Sequence, residues 1–408
     1  MKKYNLFTAL LITVVMSPGA YALDLRNPLP NWVDHSREKA DGRPPVMAPV
    51  RAAPPAGFHI PAEYEPVAAV VVGWAGYTNM LSGIGRAVAG PGHARFWAVG
   101  GPASIDGVPA YDYTSIDLPL DTVWMRDYGP FGIESGKTPG IVDTIYRHYQ
   151  YRREDDAIPT ELAKAEGIEA FSMPMILDGG NLMVDSRNDL FMTKRVYIWN
   201  SDKSQSQVDS LLKSYFGVKN IYTFEYAGYP NDPADGTGHI DMFMKLLNDH
   251  TVLVATSDEE PYKTNGEKAQ AFFKGRTAPD GQPYKVITVK GWTEDNAWFT
   301  YTNSLIVNGV AIIPSYTGHD QQNADAKAAY EQAGLKVVEV NSDDSIRAGG
   351  SIHCTTQNIP VLPDGRVLSP RQVFTRAPQF RGVNVTAPVP PLKSSDGSTA
   401  VGQLLNGL

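Results

Sequence analysis

The segment GGSIHCTTQNIP, residues 349–360, contains Cys354, the only cysteine in a chain of 408 residues. A cysteine of this kind is ordinarily a small apolar core residue. The chain, however, begins MKKYNLFTALLITVVMSPGAYA: two lysines, an apolar run too short for a typical membrane span, and a small-x-small end at Ala20-Tyr21-Ala22. That layout reads as a secretory leader over residues 1–22. The mature chain is therefore expected to be exported, periplasmic or secreted, and not held in a membrane once the leader is cleaved. In an oxidising compartment a lone thiol is a liability unless it is used, so Cys354 reads as a nucleophile.

His353 and Thr355 flank it, but adjacent side chains on a strand face opposite ways, so His353 is not expected to serve as the base for its own neighbour. Gly238-His239-Ile240-Asp241 offers a better partner. On a strand His239 and Asp241 would share a face, and an imidazole beside a carboxylate keeps its proton more readily and can work as an acid/base. Zinc is the competing use of such residues, but it needs further ligands at sensible spacing, and the eight histidines form no such cluster in the sequence. Trp124-Met125-Arg126-Asp127-Tyr128-Gly129-Pro130 sets Asp127 just before a Gly-Pro bend, where it can be rigid and still accessible. Asp178-Gly179-Gly180-Asn181 has the same character: its glycines either let the backbone pass close to a ligand or simply make a turn. Two or three carboxylates, one imidazole and one thiol suit a planar guanidinium. The carboxylates hold its nitrogens, the thiol attacks its central carbon, and the histidine protonates departing ammonia. This chemistry needs neither a metal nor an organic cofactor.

Such a set must be gathered by the fold, and the chain carries a recurring unit that can do so. LMVD and DLFMTKRVYIW read as two strands, QSQVDSLLKSYF as a helix stopped at Gly217, and VKNIYTF as a third strand. The same order of strand, strand, helix, strand returns in HIDMFMKLL, TVLVAT, EKAQAFFKGR and YKVITVK. It returns again in SLIV and VAIIP around the hairpin turn Asn308-Gly309, followed by ADAKAAYEQA and LKVVEV. A looser copy runs from VWMRDYGPFGI through PTELAKAEG to EAFSM. A fifth is split between the chain ends: IHCTTQNIPVL and RVLSP supply strands near the C-terminus, and TNMLSGIGRAVAG and ARFWAVG, after PVAAVVVGW, lie near the N-terminus. Asp127, Asp178, His239, Asn303 and Cys354 recur at the start of the first strand of each copy, at intervals of roughly 50–65 residues. Five units closed around an axis would bring them to one central place. Residues 23–60 read as an irregular, proline-rich arm, residues 61–384 as the α/β catalytic domain, and residues 385–408 as a proline-rich tail.

Composition limits the partners. The chain carries 36 basic and 44 acidic side chains, a net of −8, which suits neither nucleic acid nor anionic lipid. With one cysteine no intramolecular disulfide can form, so a core and not staples must stabilise the fold.

At these residues the sequence resembles the guanidine-modifying enzymes of the agmatine deiminase and bacterial (Porphyromonas-type) peptidylarginine deiminase family. WMRDYGP, DGGN, GHID and GGSIHCTTQNIP are similar to that family's motif set, in the same order, and the resemblance runs from about Pro61 to Pro370. It implies the pentein fold, a five-bladed α/β propeller with pseudo-five-fold symmetry. It implies Cys354 as nucleophile, His239 as general acid/base, Asp127 and Asp241 as the pair gripping the guanidinium, and Asn303 as an active-site asparagine. Asp178 stands where agmatine-type members often carry glutamate, one methylene longer. Trp124 and Arg126, in the first motif, are candidate substrate contacts. Arg147, Arg152 and Arg153, in YRHYQYRR, are candidate partners for a substrate carboxylate, although an exposed basic loop explains them equally well.

The activity implied is cysteine-dependent hydrolysis of a guanidinium to a ureido group and ammonia, on an arginine-containing peptide or a small guanidino compound. The leader makes peptidyl or free arginine converted to citrulline the main expectation; agmatine converted to N-carbamoylputrescine, favoured by HCTTQNIP, is the alternative. Two other classes are kept: a papain-like cysteine protease, whose cysteine precedes its histidine whereas His239 here precedes Cys354, and a non-catalytic guanidinium-binding protein, which has no use for the thiol.

Overall fold

A computed structural model describes residues 23–49, 52–135, 138–225 and 237–360. The leader (1–22), the strand expected at RVLSP and the tail (385–408) lie outside the described residues.

One strand pattern recurs through the chain: an antiparallel pair, then a helix, then a third strand parallel to the second. Phe131–Ser135 and Thr138–Ile145 pair antiparallel, and Glu169–Ile176 joins the second in parallel. Met183–Val184, Leu190–Thr193 and Ile221–Phe224 repeat this, as do Met244–Asn248, Thr251–Thr256 and Lys285–Lys290, and Leu305–Val307, Val310–Ser315 and Lys336–Asn341. The last sheet joins the two ends of the described chain. Thr356–Pro360 pairs antiparallel with Val67–Gly73, which is parallel to Arg95–Val99, and Tyr113–Ile116 adds an edge. The second strand of the split unit is thus VAAVVVG near the N-terminus, a place the sequence reading gave to RVLSP.

The middle strand of each sheet has neighbours on both sides and is buried on both faces, so it reads as a continuous apolar run. Val67–Gly73 is buried at every position, whereas the outer Lys285–Lys290 alternates. The helices Thr78–Ala89, Arg153–Glu166, Gln205–Phe216, Tyr262–Phe273 and Asp320–Glu331 make the crossovers. Ser204 and Gln207 cap one of them reciprocally and Gly217 ends it with φ of 67°. Asn308 and Gly309 take φ of 49° and 82° at the hairpin turn.

Several boundaries differ from the sequence reading, each for a local reason. RVYIW does not extend its strand but coils into the helix Arg195–Trp199. The helix read as PTELAKAEG begins earlier, at Arg153, because Asp155 and Asp156 near its start are tied to other segments. Asp155 accepts from the Thr122 hydroxyl at 2.6 Å, and Asp156 accepts from the amides of Tyr146 at 2.9 Å and Val46 at 2.6 Å. An extra hairpin, Trp292–Glu294 with Ala297–Phe299, sits between two units.

The arm has no helix or strand over residues 23–49, yet it is well anchored. Arg152 is fully buried and spends its donors on it: Nε on Glu38 Oε1 at 2.7 Å and Nη2 on the carbonyls of Pro30 and Trp32 at 2.8 and 2.6 Å. Among the described residues no helix is long and apolar enough to cross a membrane.

Candidate active site

The five recurring polar residues lie just before the first strand of each unit, on turns and not on the strands. Asp127 is in the helical turn Met125–Tyr128, ahead of Phe131–Ser135. Asp178 precedes the 3-10 turn Gly179–Asn181, and His239 the 3-10 turn Ile240–Met242. The shared face expected from strand alternation is therefore not how His239 and Asp241 meet: the turn between them lets both point inward. Cys354 likewise sits in a turn before Thr356–Pro360. All five, with Asp241, are fully buried.

Asn303 organises the thiol. Its Oδ1 accepts from the amides of Ser351 at 2.9 Å and Cys354 at 3.3 Å. Its Nδ2 donates to Cys354 Sγ and to Asp241 Oδ2, both at 3.1 Å. Sγ itself lies 3.7 Å from Asp241 Oδ2. The amide of Arg126 donates to the Cys354 carbonyl at 3.1 Å, tying the Asp127 turn to the Cys354 turn. Gly350 allows the close packing: a Cβ there would meet Cys354 Sγ at 2.8 Å and Trp124 at 2.8 Å.

On the other side His239 sits between two carboxylates. Its Nε2 is 3.2 Å from Asp178 Oδ2 and its Nδ1 is 3.5 Å from Asp127 Oδ1. Asp178 also pairs with Arg147 Nε at 3.0 Å, and Arg147 lies over the Trp199 ring at 5.0 Å. The three groups are joined through Gly180. A Cβ there would lie 2.5 Å from His239 Nδ1, 3.0 Å from Asp127 Oδ1 and 3.2 Å from Asp241 Oδ2. Only glycine leaves that space open. Asp127 Oδ2, Asp241 Oδ1 and His239 Nδ1 are buried with no hydrogen-bond partner among the described residues. Leaving such atoms unsatisfied costs stability unless a ligand meets them, and the two carboxylate oxygens fit a flat cation with several N–H groups.

Electrostatics agree with a cation's place. Burial, with Asp178 and Asp241 nearby and against the opposing pull of His239, pushes the Asp127 carboxyl up to about 7. For Asp178 and Asp241 burial also works against the charge. Arg147 and His239 outweigh it at Asp178, and His353, His239 and Lys245 outweigh it at Asp241, so both sit below the usual carboxylate range. For His239 burial favours the neutral ring, but Asp127 and Asp178 outweigh it and raise the value. The Cys354 thiol is pushed well above its ordinary value by burial first, then by the charges of Asp241 and Asp127; the Asn303 hydrogen bond offsets only part of this. At rest Cys354 is a thiol, and an arriving cation removes the electrostatic objection to a thiolate.

Asp127, Asp178 and His239 also have ligand atoms within 4.8 Å of one another, close enough to gather around a metal ion. Arg147 already places a cation on Asp178, and the trio leaves the thiol out, so the site fits a guanidinium better than a metal.

The other expected contacts divide. Arg147 lies at the site through Asp178. Arg126 is turned away from it, with Nη1 on Gln357 Oε1 at 2.7 Å and Nη2 3.5 Å from Glu63. Trp124 packs beside the Cys354 turn and donates Nε1 to the Leu29 carbonyl of the arm at 3.0 Å. Arg152 and Arg153 do not reach the site: Arg152 is consumed by the arm, and Arg153 donates to the Pro44 carbonyl at the surface. The sequence reading missed Glu63 and His353. His353 makes no bond to the Cys354 thiol, as expected, but it contacts Asp241 Oδ2 at 2.6 Å and Glu63 Oε2 at 2.6 Å. Its place next to the nucleophile was the one available signal.

A family model for Porphyromonas-type peptidyl-arginine deiminases matches residues 59–360. The chain belongs to that family. As a member of the Porphyromonas-type peptidyl-arginine deiminase family it is a guanidine deiminase, a hydrolase of C–N bonds. The agmatine deiminase of Medicago truncatula is 24% identical over 374 residues, covering 75% of this chain and 97% of the relative. The agmatine deiminase structure from Enterococcus faecalis shares its fold at a TM-score of 0.65 and 18% identity, covering 77% of this chain and 99% of that one. The Campylobacter jejuni agmatine deiminase does so at 0.61 and 18%, covering 74% and 97%. The mixed α/β fold is thus shared with solved deiminases over about three quarters of this chain.

Proposed function

We propose that the protein deiminates a small guanidino compound entering a buried pocket end-on, with agmatine as the leading candidate, on five units closed into a pentein-type ring. The reading of the site is carried by the unpartnered oxygens Asp127 Oδ2 and Asp241 Oδ1 beside a thiol whose proton they hold in place until a cation arrives. The ring is supported by one topology repeated through the chain, with the split unit joining its ends.

Asp127 and Asp241 orient the guanidinium. A bond forms between Sγ and the central carbon as the thiol gives its proton to Asp241 Oδ2, the acceptor it faces at 3.7 Å. The adduct is neutral, so Asp241 no longer needs its charge. The His239 imidazolium protonates one nitrogen, the C–N bond breaks, and ammonia leaves an S-alkylthiouronium. Neutral His239 then takes a proton from water as its oxygen attacks the same carbon. Collapse breaks the C–S bond and returns the hydroxyl proton to sulfur. The proton held on Asp241 departs with ammonia as ammonium. One water is consumed and a ureido product is released.

Agmatine is favoured over arginine by Arg147. Its ion pair with Asp178 would have to be shared with an α-carboxylate drawn into a fully buried site, which is costly. The named relatives point the same way, being agmatine deiminases. Arginine, free or at a peptide C-terminus, is the second reading, since Arg147, paired with Asp178 at the site, is a cation that could meet a carboxylate. Ammonia release from agmatine, free arginine and a peptide ending in arginine, assayed in parallel, checks this. We expect kcat/KM for agmatine to exceed that for free arginine by at least about 10-fold; preference for either carboxylate-bearing substrate would establish the second reading.

The pH dependence follows from the same groups. Substrate capture needs Asp127 ionised, so kcat/KM should fall as pH drops through about 7, by roughly tenfold per unit below it. It should fall again above the ordinary imidazole range, where His239, whose value is raised, finally loses the proton that ammonia departure requires. A profile that stays flat from pH 7 down to 5 would contradict the assignment of Asp127.

A further inference from the structure

We propose that Glu63 and His353 are positioning residues for this reaction, holding Asp241 by the oxygen that faces the thiol and so fixing which of its two oxygens meets the substrate. The inference rests on the deiminase reading above.

A carboxylate can present either oxygen by a half-turn about its terminal bond. In Asp241 one oxygen is fully engaged: Oδ2 receives His353 Nδ1 at 2.6 Å and Asn303 Nδ2 at 3.1 Å, and faces Cys354 Sγ at 3.7 Å. Oδ1 is left buried and unpartnered. Asn303 alone does not settle this choice, because its Nδ2 is shared with Sγ and with Met242 Sδ. The short contact from His353 does. His353 is fixed in turn by Glu63 Oε2, 2.6 Å from its Nε2. Glu63 is anchored by its other oxygen to Lys245 Nζ at 2.5 Å and to the Ile306 amide at 2.9 Å, and Arg126 Nη2 lies 3.5 Å from Oε2. These anchors belong to different units: Lys245 lies in Met244–Asn248 and Ile306 in Leu305–Val307. The line from Glu63 through His353 to Asp241 therefore ties the substrate-gripping carboxylate to the frame. It runs along a small cavity lined by Glu63, Arg126, Lys245 and His353 together with Gly179 and Gly180.

The line can be cut at one end or the other. An asparagine amide nitrogen takes the place of imidazole Nδ1, and a glutamine amide nitrogen that of Nε2. His353→Asn keeps the donor to Asp241, whereas His353→Gln keeps only the donor to Glu63. Positioning of Asp241 predicts that Asn retains kcat/KM within about 10-fold of the native enzyme while Gln loses about 100-fold, mostly through KM. A packing role alone predicts equal losses. Glu63→Gln preserves shape and an acceptor for Lys245 and Ile306, and serves where a His353 variant does not fold. It is expected to raise KM about 10-fold with kcat within about 2-fold. The proposal is overturned if Asn and Gln at position 353 are equivalent, if Gln is the better of the two, or if KM is unmoved by Glu63→Gln. Absence of ammonia release by the native enzyme on every guanidino substrate tried would instead overturn the deiminase reading on which the inference rests.

Discussion

Cys354→Ala is expected to lower ammonia release by at least about 10⁴-fold, about 5.4 kcal/mol of barrier, with the fold intact. The size follows from the lack of a substitute. Cys354 is the only cysteine in the chain, and the groups around it are carboxylates and an imidazole already committed to binding and proton transfer. The substitution removes one atom, Sγ, whose hydrogen bonds are to Asn303 Nδ2 and Asp241 Oδ2. The group removed is a neutral thiol at rest, and Asn303 Nδ2 keeps Asp241 Oδ2 as an acceptor. Stability should therefore change little, and thermal unfolding followed by circular dichroism checks that. Substrate binding should persist, because Asp127 and Asp241 are untouched. A Cys354→Ala protein that folds but still turns over at more than about a hundredth of the native rate would remove Cys354 from the nucleophile role.

Asp241→Asn is expected to cost about 10²- to 10³-fold in kcat/KM, which is about 3–4 kcal/mol. Asp241 does three things at once. Its free Oδ1 faces the substrate cation, its Oδ2 receives the thiol proton, and its charge keeps the thiol neutral until that cation arrives. The amide keeps the shape but loses the charge, so the cation is held less well and the thiol proton has no basic acceptor. With the Asp241 charge gone the thiol value falls, so iodoacetamide, a neutral reagent, should alkylate Cys354 faster in this variant than in the native protein at the same pH. Loosening of the site would also expose the buried Cys354, so the comparison is made on a variant whose thermal unfolding matches the native protein, and a lowered thiol value then shows as a lower midpoint in the pH dependence of alkylation. Slower alkylation in a folded variant would mean that Asp241 does not control the thiol.

The repeating units were legible because hairpins and amphipathic helices leave periodic marks. Asn308-Gly309 and the stop at Gly217 are chemical signals of turn and helix end. Their phase was enough to bring Asp127, Asp178, His239, Asn303 and Cys354 into correspondence. What the periodicity could not show was the backbone at the site itself. Asp127 and His239 sit at one-turn helices, too short to leave a repeat, so strand alternation gave His239 and Asp241 a shared face for the wrong reason. Side-chain direction in a basic run is equally invisible. Arg152 looked like Arg147, but its partner Glu38 lies 114 positions earlier in an arm without secondary structure. The Glu63–His353 contact spans 290 positions and was out of reach for the same reason: the two are neighbours only once the first and last strands close one sheet.

The central claim is that a guanidino carbon becomes bonded to Cys354 during turnover. Acid-quenching the enzyme in steady state with the substrate that releases ammonia fastest, then mapping its proteolytic peptides by mass spectrometry, tests this directly. The peptide containing Cys354 is expected to gain the mass of the substrate less one ammonia, and the gain to disappear with Cys354→Ala. Turnover that proceeds with Cys354 unmodified, or with the adduct on another residue, would contradict it.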